Sequence, residues 1–138
     1  FVVHLCHATD EDLEKLKESN ISVVVCPRSN DYFGNRPPLE KMIEIGLDLG
    51  FGTDNGMICS VNMLDEIRFI NQNYSSIGKH KILEIACFGL NEMFNKDKAS
   101  RYFNPKLSGW ALLSREASDN YESVFSPKTT VLGARWRN

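Results

Sequence analysis

A carboxylate stands directly after a segment that is predicted to form a short buried strand. Leu47 to Phe51 is largely apolar, and the chain continues through Gly52-Thr53 to Asp54. In α/β folds, the side chains at the carboxyl ends of strands and in the loops that follow line the ligand crevice. A carboxylate there can bind a metal ion or take a proton from water. Asp54 is therefore the first candidate for a catalytic residue.

The segments that precede Asp54 predict three strands, at residues 2–6, 21–26 and 47–51. The second is β-branched and almost continuously hydrophobic, which is typical of a strand buried on both faces of a parallel sheet. A helix is expected after Thr9, which is a suitable N-cap before an acidic first turn. Another is expected over residues 37–46, with prolines at its start and a glycine at its end.

The polar segment between Arg28 and Arg36 is predicted to be a loop. Strands and helices that alternate through short connections predict βαβ units and, with right-handed crossovers, a parallel sheet.

The pattern changes after Asp54. A helix capped by Ser60 is expected, followed by a second helix over residues 79–94. The tail is less regular, with short strands predicted at 110–113 and 130–136 and a polar, loop-like segment over 114–123 between them.

Composition limits the class of protein. The chain has 138 residues, of which 42% are hydrophobic and 25% charged, with a net charge of -2 and a pI near 5.9. These values fit one ordinary domain and argue against nucleic acid as a partner. No run approaches the roughly 18 apolar residues that a membrane helix needs. The four cysteines form no Cys-x-x-Cys pair, so we expect reduced, mostly buried thiols and a cytoplasmic protein.

Five short motifs carry a family resemblance. They are His4-Leu5-Cys6-His7, Cys26-Pro27-Arg28-Ser29-Asn30, Pro37-Pro38-Leu39, Gly52-Thr53-Asp54-Asn55 and Met63-Leu64-Asp65-Glu66-Ile67-Arg68. In this order and at this spacing, they resemble the C-terminal half of the amidohydrolase superfamily, in its cytosine deaminase and chlorohydrolase-like branch. The resemblance covers about residues 1–94.

The resemblance implies an α/β fold that is part of a distorted (β/α)₈ TIM barrel. Residues 1–94 would supply about strands six to eight, and residues 95–138 would form a tail with short strands, as part of a small β-sandwich domain. Asp54 matches the aspartate after strand eight, which would ligate a divalent metal and accept a proton from the water that the metal activates. His4 matches the histidine after strand six, which would hydrogen-bond that water or the substrate. Without the resemblance, His4 could equally be a core histidine.

The resemblance also implies a small-molecule substrate and a divalent metal, with zinc favoured over iron. The expected reaction is hydrolytic deamination of a nucleobase, nucleoside or related ring. Arg28, Asn30 and Asn55 are candidate substrate contacts, although Arg28 and Asn30 could instead stabilise a loop. Asn55 stands where the family more often has a smaller residue, which leaves the substrate open.

Several functional residues of the family are not found in this chain, namely the His-x-His pair, the strand-five histidine ligand and the glutamate that acts as general acid. The chain also opens on an apolar, strand-like run without Met, so we expect it to be the later part of a longer protein. Alone it is expected to be inactive and to hold no catalytic metal. It is also expected to associate with the missing barrel half or with copies of itself, because open sheet edges invite pairing. The alternative is a non-catalytic assembly or binding module derived from such a barrel.

Overall fold

A computed structural model of the chain describes residues 1–89, 109–114 and 119–136. The chain divides into two units, Phe1–Lys96 and Asp97–Asn138. In the described residues, the first unit contains a three-stranded sheet and the second a two-stranded sheet. The candidate site residues all belong to the first unit.

The sheet of the first unit is parallel and follows the order β1-β2-β3. Its strands are β1 Val2–Val3, β2 Val23–Val25 and β3 Leu49–Phe51. Val2 pairs with Val23, and Val23 in turn pairs with Leu49, so the three strands run in register with their carboxyl ends at one edge. The predicted parallel sheet is confirmed, although each strand is shorter than predicted.

The described part of the first unit also contains five α-helices. They are α1 Asp10–Glu18, α2 Pro27–Tyr32, α3 Leu39–Glu44, α4 Met63–Asn73 and α5 Lys79–Glu84, and α5 continues into a π-helical segment, Ile85–Gly89. Buried apolar side chains from the strands and helices form the core of the unit; among them are Leu13, Val23, Val25, Met42, Phe51, Ile70 and Ile82. Burial of such side chains is the main favourable term in folding.

The start of α1 confirms the predicted N-cap. The Thr9 hydroxyl accepts a hydrogen bond from the Asp12 backbone N–H at 3.2 Å. The Asp12 carboxylate accepts one in return from the Thr9 backbone N–H at 2.9 Å. This reciprocal pair is a capping box, which satisfies two backbone donors that the first turn would otherwise leave unpaired.

The segment after Cys26 is not the loop that the sequence predicted. It begins with helix α2, which has Pro27 in its first turn. Proline suits that position because the backbone N–H that it lacks would have no partner within the helix. Helix α4 also starts later than predicted, since its N-cap is Asn62 and not Ser60.

Gly89 explains part of the departure from the predicted helix over residues 79–94. A Cβ atom on Gly89 would lie 1.9 Å from the Leu49 carbonyl oxygen, so only glycine allows this approach to β3. The π-helical segment places Gly89 there, and π-helical turns of this kind often occur near functional sites. The remainder of the prediction, residues 90–94, lies outside the described residues.

The second unit contains an antiparallel pair of strands, β4 Gly109–Leu113 and β5 Val131–Trp136. Both strands were predicted to within a residue at each end. The prediction of a loop over 114–123 was wrong at its end, where helix α6 spans Asn120–Phe125. The Asp119 carboxylate caps this helix by accepting hydrogen bonds from the backbone N–H groups of Tyr121 and Glu122. Throughout the described residues, the helices are too short or too polar to cross a bilayer.

Candidate active site

Two residues just beyond the carboxyl ends of strands in the first unit have left-handed backbone conformations. His4 comes after β1 with φ of 72°, and Asp54 comes after β3 with φ of 56°. Leu5 shares this conformation with φ of 58°. Such angles are uncommon for residues other than glycine, and they concentrate at functional sites. The turn at His4 also ends β1 three residues before the predicted boundary.

Helix α2 places two consecutive side chains against these two residues. The Ser29 hydroxyl donates a hydrogen bond to the Asp54 Oδ2 atom at 2.5 Å. The Asn30 Nδ2 atom lies 3.0 Å from His4 Nδ1. Ser29 is 1% exposed and Asn30 is 8% exposed, whereas His4 is half-buried and Asp54 is exposed, so each contact joins a buried residue to one that solvent can reach. One short helix therefore holds both predicted catalytic side chains.

His4 and Asp54 line the same pocket, which has a volume of about 570 Å³. Ser29 and Asn30 contribute to its wall, together with the exposed ring of Phe33. A volume of this size suits a small-molecule ligand. The structure thus brings together an imidazole, a carboxylate, a hydroxyl and an amide at the carboxyl edge of the parallel sheet.

Arg28 is held by groups on and before α4. Its guanidinium donates hydrogen bonds to the Ser60 carbonyl and hydroxyl, at 3.2 Å and 3.1 Å. It also lies 3.8 Å from the Asp65 carboxylate and 3.5 Å from the Glu66 carboxylate. These contacts indicate that Arg28 stabilises the packing of α2 against α4. Its candidate role as a substrate contact stays a prediction.

Asn55 contributes to the turn that follows Asp54. Its Oδ1 atom accepts a hydrogen bond from the Met57 backbone N–H at 2.8 Å, and the residue is exposed. This is an Asx-type turn, in which a side chain replaces a backbone acceptor. A substrate contact by Asn55 stays a prediction.

Glu66 is a residue that sequence reasoning did not place at the site. It is fully buried on α4, and its Oε2 atom accepts a hydrogen bond from the Arg28 backbone N–H at 3.2 Å. Burial raises the pKa of its carboxyl group, although the hydrogen bond from the Arg28 backbone and the charge of Arg28 oppose the rise. Glu66 therefore supports the first turn of α2, whose next two residues hold Asp54 and His4. A carboxylate next to the apolar residues Leu64 and Ile67 was the available signal, and it does not identify Arg28 as the partner.

The four cysteines are free thiols, and of these only Cys26 is buried, so the expectation that they would be mostly buried was wrong. Burial, followed by the nearby charges of Asp54 and Glu66, raises the pKa of Cys26 to about 12. A thiol with so high a pKa stays protonated at neutral pH and is a poor nucleophile. Cys26 therefore acts as a packing residue beneath the site.

The donor atoms at the pocket fit part of a metal site. Imidazole and carboxylate are ligand types that zinc and iron accept. Ser29 bonds Asp54 Oδ2, which leaves Oδ1 as the oxygen that can face a metal. Within the described ranges, however, no three His, Cys, Asp or Glu side chains come close enough to form a complete site. Any metal bound here would therefore need ligands beyond the described residues.

Comparison with known proteins identifies the family. The model of the amidohydrolase family matches residues 1–97, and the chain belongs to that family. The membership that the five motifs predicted is thereby confirmed. Members of the family generally use a divalent metal, and the family implies an α/β fold of the TIM-barrel type.

Three relatives show the range of similarity. A putative aminohydrolase of Methanothermobacter thermautotrophicus is 45% identical over 69 residues, which cover 49% of this chain and 18% of the relative. An uncharacterized protein of Methanocaldococcus jannaschii is 39% identical over 100 residues, or 65% of this chain and 26% of the relative. A 5-methylthioadenosine/S-adenosylhomocysteine deaminase of Caldanaerobacter subterraneus is 35% identical over 92 residues, or 60% of this chain and 21% of the relative. The matched segments span about a fifth to a quarter of these relatives.

Proposed function

We propose that this chain is the C-terminal portion of a metal-dependent hydrolase that deaminates a nucleobase, nucleoside or related ring. The observation that carries the proposal is the single pocket shared by His4 and Asp54, with each side chain held by a buried residue of α2. The relatives named 5-methylthioadenosine/S-adenosylhomocysteine deaminase support a purine nucleoside as the first substrate to test. The proposed branch is that of cytosine deaminase and the chlorohydrolases, and the proposed compartment is the cytoplasm.

Asp54 is the proposed proton carrier. Water adds to the ring carbon that bears the amino group, and its proton passes through the Asp54 carboxylate to the amino nitrogen. The carbon–nitrogen bond then breaks and ammonia leaves, and the hydroxyl that remains on the carbon gives its proton to the ring nitrogen, which leaves a ring carbonyl. Ser29 donates to Oδ2 and so holds the carboxylate in one orientation. Orientation of this kind keeps the proton acceptor within hydrogen-bonding reach of the reacting atoms.

His4 is the proposed partner of Asp54 in charge stabilisation. An imidazole N–H that faces the reacting carbon stabilises the negative charge that develops when water adds. Asp54 would also be one ligand of a divalent metal, zinc before iron, and such a metal supplies a Lewis acid that lowers the pKa of water from 15.7 to about 7. The other ligands would come from the rest of the longer protein.

The described strands are proposed to be strands six to eight of the barrel, and residues 95–138 to belong to a small β-sandwich domain. β1 is an edge strand of the described sheet, and Phe1 and Val3 are 70% and 41% exposed. An open edge with exposed apolar residues favours pairing with further strands. The proposed occupant is the remaining part of the barrel or, alternatively, a second copy of the chain in a homo-oligomer. By itself the chain would be inactive.

The decisive test is Asp54→Asn in the full-length protein. Release of ammonia would be measured with 5-methylthioadenosine, adenosine, guanine and cytosine as substrates. The amide cannot accept the proton, so we expect kcat to fall by about 10³-fold or more. Asp48→Asn, at the opposite end of β3, is the matched control and should leave turnover close to that of the wild type. Unchanged turnover in Asp54→Asn would refute the assignment, and an inactive wild-type protein would favour the non-catalytic binding module.

A further inference from the structure

We propose that Asn30 is a positioning residue that holds the neutral His4 ring with its proton on Nε2. The proposal deepens the function proposed above and rests on it, since it assigns His4 a defined chemical form. Asn30 was predicted to be a substrate contact, but its amide is directed at the His4 ring, with Nδ2 lying 3.0 Å from Nδ1.

The backbone of Asn30 is fixed on α2. Its N–H donates to the Cys26 carbonyl at 3.0 Å, and its own carbonyl accepts from the N–H groups of Phe33 and Asn35 at 3.1 Å and 3.0 Å. With the residue only 8% exposed, the side chain has little freedom to leave His4. The contact is therefore a built feature of the pocket wall and not a chance approach of two surface groups.

The unpaired atom of Asn30 decides which way round the amide lies. Oδ1 is buried and has no hydrogen-bond partner among the described residues. If the amide were turned over, Oδ1 would face His4 and the NH₂ group would occupy that buried place with two unpaired donors. Either orientation makes one bond to His4, but the observed one places Oδ1 in the buried position, whereas the other would place both N–H groups there. Unpaired buried carbonyl oxygens are more common in proteins than unpaired N–H groups. The observed orientation is therefore favoured.

This orientation determines the tautomer of His4. Because Nδ2 of Asn30 can only donate, Nδ1 of His4 must accept. A neutral imidazole that accepts through Nδ1 carries its proton on Nε2. His4 therefore offers the pocket an N–H donor and no free lone pair. In this form it can stabilise developing negative charge, while proton acceptance is left to Asp54.

The test is a two-bond ¹H–¹⁵N correlation spectrum of the full-length protein labelled with ¹⁵N-histidine, recorded at a pH where His4 is neutral. The His4 signals would be assigned by their loss in His4→Gln. We expect the wild-type protein to show the proton on Nε2. In Asn30→Asp, the carboxylate can only accept, so the proton should move to Nδ1. Asn71→Asp on α4 makes the same chemical change away from the pocket and should leave the His4 signals unchanged.

Kinetics of the same variants separate positioning from substrate binding. We expect Asn30→Asp and Asn30→Ala to lower kcat by about 10²-fold with KM nearly unchanged, as for the loss of one charge-stabilising donor. A wild-type spectrum with the proton on Nδ1 would overturn the proposal, and so would a rise in KM at constant kcat. A wild-type protein without turnover would contradict the proposed function, while the spectrum would still show whether Asn30 sets the tautomer.

Discussion

The first unit contains two polar networks that differ in burial and in the sequence separation of the residues they join. At the start of α1, Thr9 and Asp12 bond each other three residues apart on an exposed surface. Beneath α2, Glu66 bonds the backbone of Arg28, 38 residues away, from a fully buried position. The first network starts a helix, whereas the second supports the turn that carries both contacts to the candidate catalytic groups.

The pKa values of the carboxyl groups in the two networks shift in opposite directions. Hydrogen bonds from the Thr9 side chain and backbone lower the pKa of Asp12. Burial raises the pKa of Glu66. An exposed carboxylate keeps its hydration and gains hydrogen bonds, while a buried one loses hydration that its partners only partly replace. The comparison indicates that the buried network is the more sensitive to removal of one partner.

Glu66→Ala should therefore give the largest loss of stability. It removes the acceptor of the Arg28 N–H, leaves the guanidinium with Asp65 and Ser60 alone, and opens a cavity. We expect the free energy of unfolding of the full-length protein to fall by about 3 kcal/mol. Glu66→Gln keeps an oxygen for the Arg28 N–H and should lose much less. Chemical denaturation at neutral pH measures both variants, and equal losses would contradict the importance of the hydrogen bond.

The pH dependence of the same pair sharpens this test. The pKa of Glu66 is raised above its ordinary value of 4.5 in the folded protein, so the folded state binds this proton more tightly than the unfolded state. The stability that results is present below pH 4.5 and is lost as the pH rises through the folded-state pKa. Relative to wild type, Glu66→Gln should therefore become more stable as the pH rises above 4.5. If the difference in unfolding free energy between Glu66→Gln and wild type did not change with pH, the pKa of the Glu66 carboxyl group would not be raised.

Ser29→Ala has the next largest expected effect, which is a loss of catalytic activity. The variant removes the hydroxyl that donates to Asp54 Oδ2 but leaves the carboxylate in place. A hydrogen bond to a charged group contributes about 1.5–3 kcal/mol, so we expect kcat to fall by about 10-fold to 10²-fold. Ser75→Ala, in the exposed turn before α5, is the control. If Ser29→Ala retained the wild-type kcat, Asp54 would not need this support.

The same contrast explains how much of the molecule the sequence could predict. Thr9 was predicted as an N-cap because its residue type and the acidic first turn that follows it are local signals. The strands and their parallel order followed from hydrophobic runs and short connections. His4 and Asp54 were predicted because the motif that carries each residue is local. Their presence in one pocket agrees with the expectation that both lie at the carboxyl edge of the sheet.

What could not be predicted depends on contacts between distant segments. The polar residues of helix α2 predict a loop, whereas the support of the helix comes from Glu66 on another helix. The turn at His4 shortens β1, although nothing in the apolar run from Val2 indicates a left-handed backbone. The partnership of Asn30 with His4 joins residues 26 apart. Each of these features needs the fold before it can be recognised.

Thr9→Ala tests the exposed network and should give the smallest effect. It removes one capping hydroxyl, so we expect the free energy of unfolding to fall by about 1 kcal/mol, with Thr9→Ser as the control that keeps the cap. Since Thr9 lowers the pKa of Asp12 below its ordinary value of 3.8, the stabilisation from that shift is present above pH 3.8 and is lost as the pH falls through the folded-state pKa. The difference between Thr9→Ala and wild type should therefore shrink on acidification. If Thr9→Ala lost as much unfolding free energy as Glu66→Ala, the exposed local pair would stabilise the protein as much as the buried long-range network, and the difference between the two would be contradicted.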